Sequence, residues 1–127
     1  MAEEVIGIGV DVLEVDRIAT LIERHGDRFL SKALTDRELA RIGQDPGRPM
    51  FAARHLAVKE AAMKALGTGL RPGTTWHDIE VFDRGPGRCE VRLPASRPPC
   101  EKLHAAISRH GGIVVAVATL VRLEEPA

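Results

Sequence analysis

The sequence predicts an α+β fold: a single domain, residues 1–127, in which a long helix packs on a small, mainly antiparallel sheet. Three observations lead there. Residues 49–66 are dominated by good helix formers, chiefly Ala, Leu, Met, Lys, Glu and Arg. Residues 78–83 and 89–93 alternate apolar and polar side chains on either side of Gly85-Pro86-Gly87, the pattern of a hairpin with one apolar face. Residues 5–12 and 113–121 are runs of branched apolar and small residues that read as strands. A chain of 127 residues has room for one modest core, and its 44% hydrophobic content excludes disorder.

Each element has a local reason. In Val5-Ile6-Gly7-Ile8-Gly9-Val10-Asp11-Val12, glycines alternate with branched residues, which suits a buried strand that another backbone approaches closely. Asp11 stands at its end, where an acidic residue commonly caps a turn or the next helix. Between Glu14 and His25, the residues Val15, Ile18, Leu21 and Ile22 recur at helical spacing and define an inward face. Arg17, Arg24 and Arg28 fall near one stripe on the other side if the helix passes Gly26. Such a stripe is either a solvated face or a docking site for an acidic partner.

Thr35-Asp36-Arg37-Glu38 has the capping-box spacing and starts a short helix ending near Gly43. A loop over 44–49 and a turn at Arg71-Pro72-Gly73 flank the long helix. Prolines break the pattern over 94–99. Residues 101–110 fit a helix through Leu103, Ala106 and Ile107 and a strand through Leu103, Ala105 and Ile107. Gly111-Gly112 then turns the chain into 113–121, read as a central strand buried on both faces.

Bulk properties exclude several function classes. A formal net charge of zero gives no global attraction to nucleic acid or to an anionic membrane, so any charged partner must be met by a local patch. With one Trp and no Tyr, the chain has no base-stacking platform for single strands. Cys89 and Cys100 fit neither a disulfide framework nor a zinc knuckle and read as reduced cysteines. The start Met1-Ala2-Glu3-Glu4 is acidic, unlike a signal segment, and no apolar run spans a bilayer. The expected location is the cytoplasm.

Glu60 and Lys64 are the most informative pair. Four residues apart on a helix, they share one face and can form an ordinary surface ion pair. The helix runs into Gly67-Thr68-Gly69, where glycines permit positive φ and let backbone N–H groups approach an anion. The same glycine also serves simply as a helix stop.

Three stretches together resemble the holo-acyl-carrier-protein synthases, the small bacterial 4′-phosphopantetheinyl transferases. They are Gly7-Ile8-Gly9-Val10-Asp11-Val12 with 14–18, residues 51–69 carrying Lys59-Glu60-Ala61 and Lys64-Ala65 before Gly67-Thr68-Gly69, and Asp78-Ile79-Glu80-Val81 two residues after Trp76. The resemblance implies that fold and the transfer of phosphopantetheine from coenzyme A to a serine of an apo carrier protein, releasing adenosine 3′,5′-bisphosphate. It implies that Asp11 and Glu60 hold a Mg²⁺ that also contacts the pyrophosphate. A hard cation of this kind takes oxygen ligands and is commonly held by one or two carboxylates plus substrate phosphate. Lys64 would neutralise pyrophosphate charge, and Glu60, directly or through a metal-bound water, would be the base for the serine hydroxyl. Gly67, Thr68 and Gly69 match the loop beside the coenzyme A phosphates. Arg17 and Arg24 match arginines presented to the acidic helix of the carrier, and a homotrimer with active sites between protomers is implied.

Two departures fall in the coenzyme A pocket of the family. The usual Arg before the Phe-Ala-x-Lys-Glu stretch is His55, with Arg54 one residue earlier and about 100° around the helix. The usual Ser-x-Ser-His is Ala106-Ile107-Ser108-Arg109, with His110 displaced by one. Phosphate contacts would then come from His55, Arg109, Arg54 or His110. These departures point to a specialised carrier, such as one in polyketide biosynthesis. The alternatives are a degenerate member that binds carrier or coenzyme A without catalysis, and a Mg²⁺-dependent pyrophosphatase needing no carrier.

Overall fold

The computed structural model describes residues 2–43, 46–67, 75–85 and 87–124. Strand β1, Glu3–Glu14, opens the chain, followed by helices α1, Val15–His25, α2, Asp27–Ala33, α3, Asp36–Ile42, and α4, Arg48–Leu66. A 3-10 turn at Trp76–Asp78 leads into β2, Glu80–Gly85, β3, Arg88–Arg92, β4, Glu101–His110, and β5, Ile113–Leu123. The strands form one sheet in the order β1-β5-β4-β3-β2, and every neighbouring pair is antiparallel.

Helix α4 lies across β1 and β5, and small residues on both sides decide how closely. A Cβ at Gly7 would sit 2.0 Å from the Ala65 carbonyl oxygen, and one at Gly9 would sit 2.0 Å from that of Ala61. The glycines therefore bring strand backbone directly against helix backbone, as their alternation predicts. Ala57, Ala61, Ala62 and Ala65 are buried in the same seam, with Val114, Ala116, Ala118 and Leu120 behind them on β5.

The capping box at Thr35 forms: Thr35 N–H donates to Glu38 Oε1 at 2.8 Å, and Glu38 N–H donates to Thr35 Oγ1 at 3.2 Å. Glu38 does more than cap. Its Oε1 accepts Lys59 Nζ at 2.6 Å and its Oε2 accepts the Val81 N–H at 2.8 Å, so one buried carboxylate ties α3 to α4 and β2. Lys59 also donates to the Ala33 and Trp76 carbonyls at 3.0 and 2.9 Å. Burial pushes the Lys59 ammonium below its ordinary range, opposed by the hydrogen bond and charge of Glu38.

Several expectations change. The helix after β1 stops at Gly26, whose φ of 57° L side chains rarely adopt, so Arg28 stands on α2 rather than on the stripe of Arg17 and Arg24. Residues 101–110 resolve to a strand, because β4 pairs with β5 from Glu101↔Arg122 to His110↔Ile113. Strand β1 continues three residues past Asp11, so that residue sits within the strand. Asp78 belongs to the 3-10 turn, and β2 begins at Glu80. β5 has neighbours on both sides, and its helix-facing residues Val114, Ala116, Ala118 and Leu120 are buried; on the other side Val121 is buried but Ile113 and Val117 are exposed, as are Ile8, Val10 and Val12 on β1. The reading of 113–121 as a strand buried on both faces is corrected: α4 covers only one face. The turn at 71–73 lies outside the described residues.

Candidate active site

Asp11 reaches the site from β1 because it shares the helix-facing side with Gly7 and Gly9. Lys64, in the last turn of α4, donates to the Val10 carbonyl at 2.9 Å and to Asp11 Oδ1 at 3.2 Å. Among the described residues, Lys64 pairs with Asp11 rather than with Glu60. The same-face spacing on α4 therefore presents both groups without joining them. Asp11 Oδ2 is buried and has no hydrogen-bond partner among the described residues. A buried carboxylate oxygen without a donor is costly, and a cation is the partner its chemistry accepts.

Glu60, one turn earlier and half-buried, accepts a hydrogen bond on Oε1 from Trp76 Nε1 at 3.1 Å. The Trp76 turn is itself fixed. Thr75 and Asp78 cap it reciprocally, with Thr75 N–H donating to Asp78 Oδ2 at 2.9 Å, and His77 Nε2 pairs with the Ser31 carbonyl at 2.6 Å. Among the described residues, no three His, Cys, Asp or Glu side chains cluster as a metal site. Two carboxylates with an open oxygen fit a hard cation that draws its remaining ligands from water and substrate phosphate.

Gly67 ends α4 in the left-handed conformation, φ 71°, its N–H directed at the Lys64 carbonyl 3.1 Å away. The helix-stop reading thus holds for Gly67. Thr68 and Gly69 lie outside the described residues.

A groove of about 790 Å³ opens between α4 and the far end of the sheet, lined by Phe51, Arg54, Asp83, Gly85, Gly87, Ile107, Ser108 and Arg109. Arg54 dominates its floor through two hydrogen bonds to Asp83, Nε to Oδ2 at 2.6 Å and an amino group to Oδ1 at 3.0 Å. Burial pushes the Asp83 carboxyl up, but the Arg54 hydrogen bond, the Gly85 N–H and the neighbouring charges together hold it below its ordinary value. Arg109 is exposed at the wall, with Nε donating to the Gly111 carbonyl at 3.0 Å.

His55 backs this groove without lining it. Its ring is buried and stacks on Phe51 at a centroid separation of 4.0 Å, while Nδ1 pairs with the Phe51 carbonyl at 2.9 Å and Nε2 has no partner among the described residues. Burial pushes the His55 imidazole below its ordinary pKa against the attraction of Glu38 and Asp83. His110 is exposed and pairs with Ser108 Oγ at 2.9 Å. Arg17 and Arg24 are exposed on α1.

The sequence reading gave no site role to Trp76 or Asp83, and gave Glu38 only its helix cap. The Thr75-x-x-Asp78 capping spacing around the chain's only tryptophan was the available signal for the first. Cys89 and Cys100 are both free, and burial raises the Cys89 thiol to about 11, which leaves it protonated and unreactive. No described helix is long and apolar enough to cross a membrane.

Residues 7–118 match the profile of the 4′-phosphopantetheinyl transferase superfamily. The holo-[acyl-carrier-protein] synthase of Rhodopseudomonas palustris (strain HaA2) is 41% identical over 107 residues, covering 75% of this chain and 76% of the relative. That of Serratia proteamaculans is 38% identical, covering 84% of each. Among solved structures, the holo-ACP-synthase of Plasmodium yoelii superposes with a TM-score of 0.82 at 26% identity over 98% of this chain and 100% of that one. A holo-(acyl-carrier-protein) synthase of Bacillus anthracis, solved in complex with CoA (3′,5′-ADP), gives 0.76 at 29% identity over 95% and 99%.

Proposed function

Because the chain belongs to the 4′-phosphopantetheinyl transferase superfamily, as a holo-[acyl-carrier-protein] synthase, we propose how its residues divide the transfer of phosphopantetheine from coenzyme A to a carrier protein. The serine oxygen of the apo carrier attacks the phosphorus that bears the pantetheine arm. The bond from that phosphorus to the bridging oxygen breaks, and adenosine 3′,5′-bisphosphate leaves with the electron pair. The observation that carries this reading is the convergence of Asp11, with its open Oδ2, on Lys64, beside Glu60 on the same helix.

Asp11 and Glu60 would hold Mg²⁺, which when bound supplies charge neutralisation on the pyrophosphate. Lys64 carries its ammonium to the leaving phosphate, where negative charge grows as the bond breaks. Glu60, directly or through a water held beside it, receives the serine proton. Thr68 and Gly69 supply hydroxyl and amide donors beside the phosphates, while Gly67, its own N–H held by the Lys64 carbonyl, turns the chain out of α4 toward them. In the groove, Arg109 and Arg54 meet the remaining phosphate charge of coenzyme A, and His55 supports that wall from behind Phe51. Arg54 is already committed to Asp83, so coenzyme A phosphate competes with that carboxylate for the guanidinium.

Arg17 and Arg24, exposed on one helix, fit an acidic carrier, and a homotrimer fits the apolar outer face of β1 and β5. Two free cysteines support a cytoplasmic location. The departures at His55 and Arg109 favour a specialised carrier, with polyketide biosynthesis one setting for it.

The test combines protein, coenzyme A, Mg²⁺ and apo carriers of fatty-acid and polyketide type, with mass spectrometry to detect phosphopantetheine on serine and chromatography to detect the bisphosphate. Glu60→Gln and Lys64→Ala should each lower kcat by about 100-fold or more. Arg24→Ala should raise KM for the carrier and flatten its salt dependence. Full transfer by Glu60→Gln, or undiminished transfer in chelator, would overturn the assignment.

A further inference from the structure

The indole of Trp76 donates to Glu60, and it is held there by a connected set of hydrogen bonds. Glu38, fixed by the Thr35 N–H and the Val81 N–H, grips Lys59 Nζ at 2.6 Å. Lys59 Nζ then donates to the Trp76 carbonyl at 2.9 Å, and Trp76 Nε1 donates to Glu60 Oε1 at 3.1 Å. The path leaves α4 at Lys59 and returns to it at the next residue, Glu60. A second tether, His77 Nε2 to the Ser31 carbonyl, keeps the turn against α2.

This arrangement has a consequence for the carboxylate. A glutamate on a helix turns about three side-chain bonds, and a half-buried one can present either oxygen to a ligand. With Oε1 taken by the indole, rotation is restricted and Oε2 is the oxygen left to a cation or a proton. An indole N–H is a donor only and has no lone pair to compete for the metal. Hydrogen bonds that orient a ligating carboxylate are the usual means by which a protein tunes its metal affinity.

We propose that Trp76 is a positioning residue of the transfer reaction: its Nε1–H fixes the Glu60 carboxylate in the orientation that receives the divalent cation, and the buried Glu38–Lys59 pair holds Trp76 in place. The inference rests on the assignment of Asp11 and Glu60 as the cation's carboxylates, and the experiment separates failure of that assignment from failure of this one.

Trp76 is the chain's single tryptophan, so the wild-type protein reports on the site directly. Terbium, an oxygen-seeking ion whose luminescence is excited by a nearby indole, should show sensitised emission that Mg²⁺ displaces and that Asp11→Asn abolishes. Emission unaffected by Asp11→Asn and by Mg²⁺ would refute the carboxylate assignment itself. Manganese binding, followed by electron paramagnetic resonance, then addresses Trp76. Trp76→Phe keeps the ring but removes the donor, and should weaken manganese binding and lower kcat by about 10-fold each, with KM for the carrier unchanged. Wild-type manganese affinity and kcat in a folded Trp76→Phe protein would overturn the proposal.

A measurement on intact Trp76 guards against a variant that misfolds. The lone indole N–H gives one cross-peak in a ¹H–¹⁵N spectrum. Glu60→Gln should move that peak upfield as the charge-assisted bond becomes a neutral one, whereas an unmoved peak would show that the bond is not made in solution.

Discussion

His55, expected from the family resemblance to stand in for an arginine, has surroundings that differ sharply from those of a phosphate ligand. The ring is buried at 1% exposure, Nδ1 is satisfied by Phe51, and Nε2 faces no acceptor among the described residues. A proton on Nε2 would be a buried charge with nothing to receive its hydrogen bond. The pKa of the imidazole is accordingly pushed below its ordinary 6.5 in the folded protein, chiefly by burial. The sign follows from linkage. Below pH 6.5 the unfolded state binds a proton the folded state refuses, so stability is complete above that pH and is lost as pH falls toward the depressed folded value. The loss approaches about 1.36 kcal/mol per pH unit within that window. Urea denaturation from pH 7.5 to 5 should show the midpoint falling, and His55→Gln should flatten the curve. An identical slope in that variant would mean another group carries the acid sensitivity. Little of this was legible beforehand, because a histidine on a helix reads the same whether it faces a groove or the core.

At the scale of elements, what the sequence disclosed was what is encoded locally. The Thr35 box and the stops at Gly43 and Gly67 are settled within one helical turn, and each forms where its residue types predict. Residues 101–110 carried both periodicities equally, and only pairing with β5 decides between them. The cap at Glu38 was legible but its pairing with Lys59 was not, since that partnership spans 21 residues of separation and no local pattern announces it. The contact of β1 with α4 was legible through Gly7 and Gly9, and it makes a quantitative claim. At Gly9 an added methyl meets the Ala61 carbonyl oxygen and the Ala65 nitrogen, both backbone, so nothing flexible can give way. Gly9→Ala should cost more than about 3 kcal/mol, above the usual range for overpacking. Gly112→Ala, with nothing within 4 Å of the added carbon and no positive φ, should stay within about 0.5 kcal/mol. Equal stability of the two variants in urea would mean that strand and helix can separate at little cost.

For the whole molecule, one layer of helices covers one face of the sheet and leaves the other open. On that open face Ile8, Val10 and Val12 are 65%, 49% and 57% exposed, and β5 sets Val117 opposite Val10 and Val115 opposite Val12. β1 is also an edge strand, so apolar side chains and unpaired backbone groups occur together, a combination that soluble domains seldom leave uncovered. The continuous apolar run that made 113–121 look buried on both faces was a true signal about apolarity; which chain does the covering is not written in it. A neighbouring copy is the cover that fits the proposed trimer. Sedimentation velocity across a concentration series should therefore show the wild type assembled, with Val10→Glu shifted to monomer. If the active site is completed by the neighbouring protomer, the monomeric variant should bind the carrier through Arg17 and Arg24 yet lose most transfer activity, and raising its concentration should restore part of it by mass action. A wild type that sediments as a monomer at every concentration would refute the assembly. Full transfer by monomeric Val10→Glu would show instead that each chain carries a complete site.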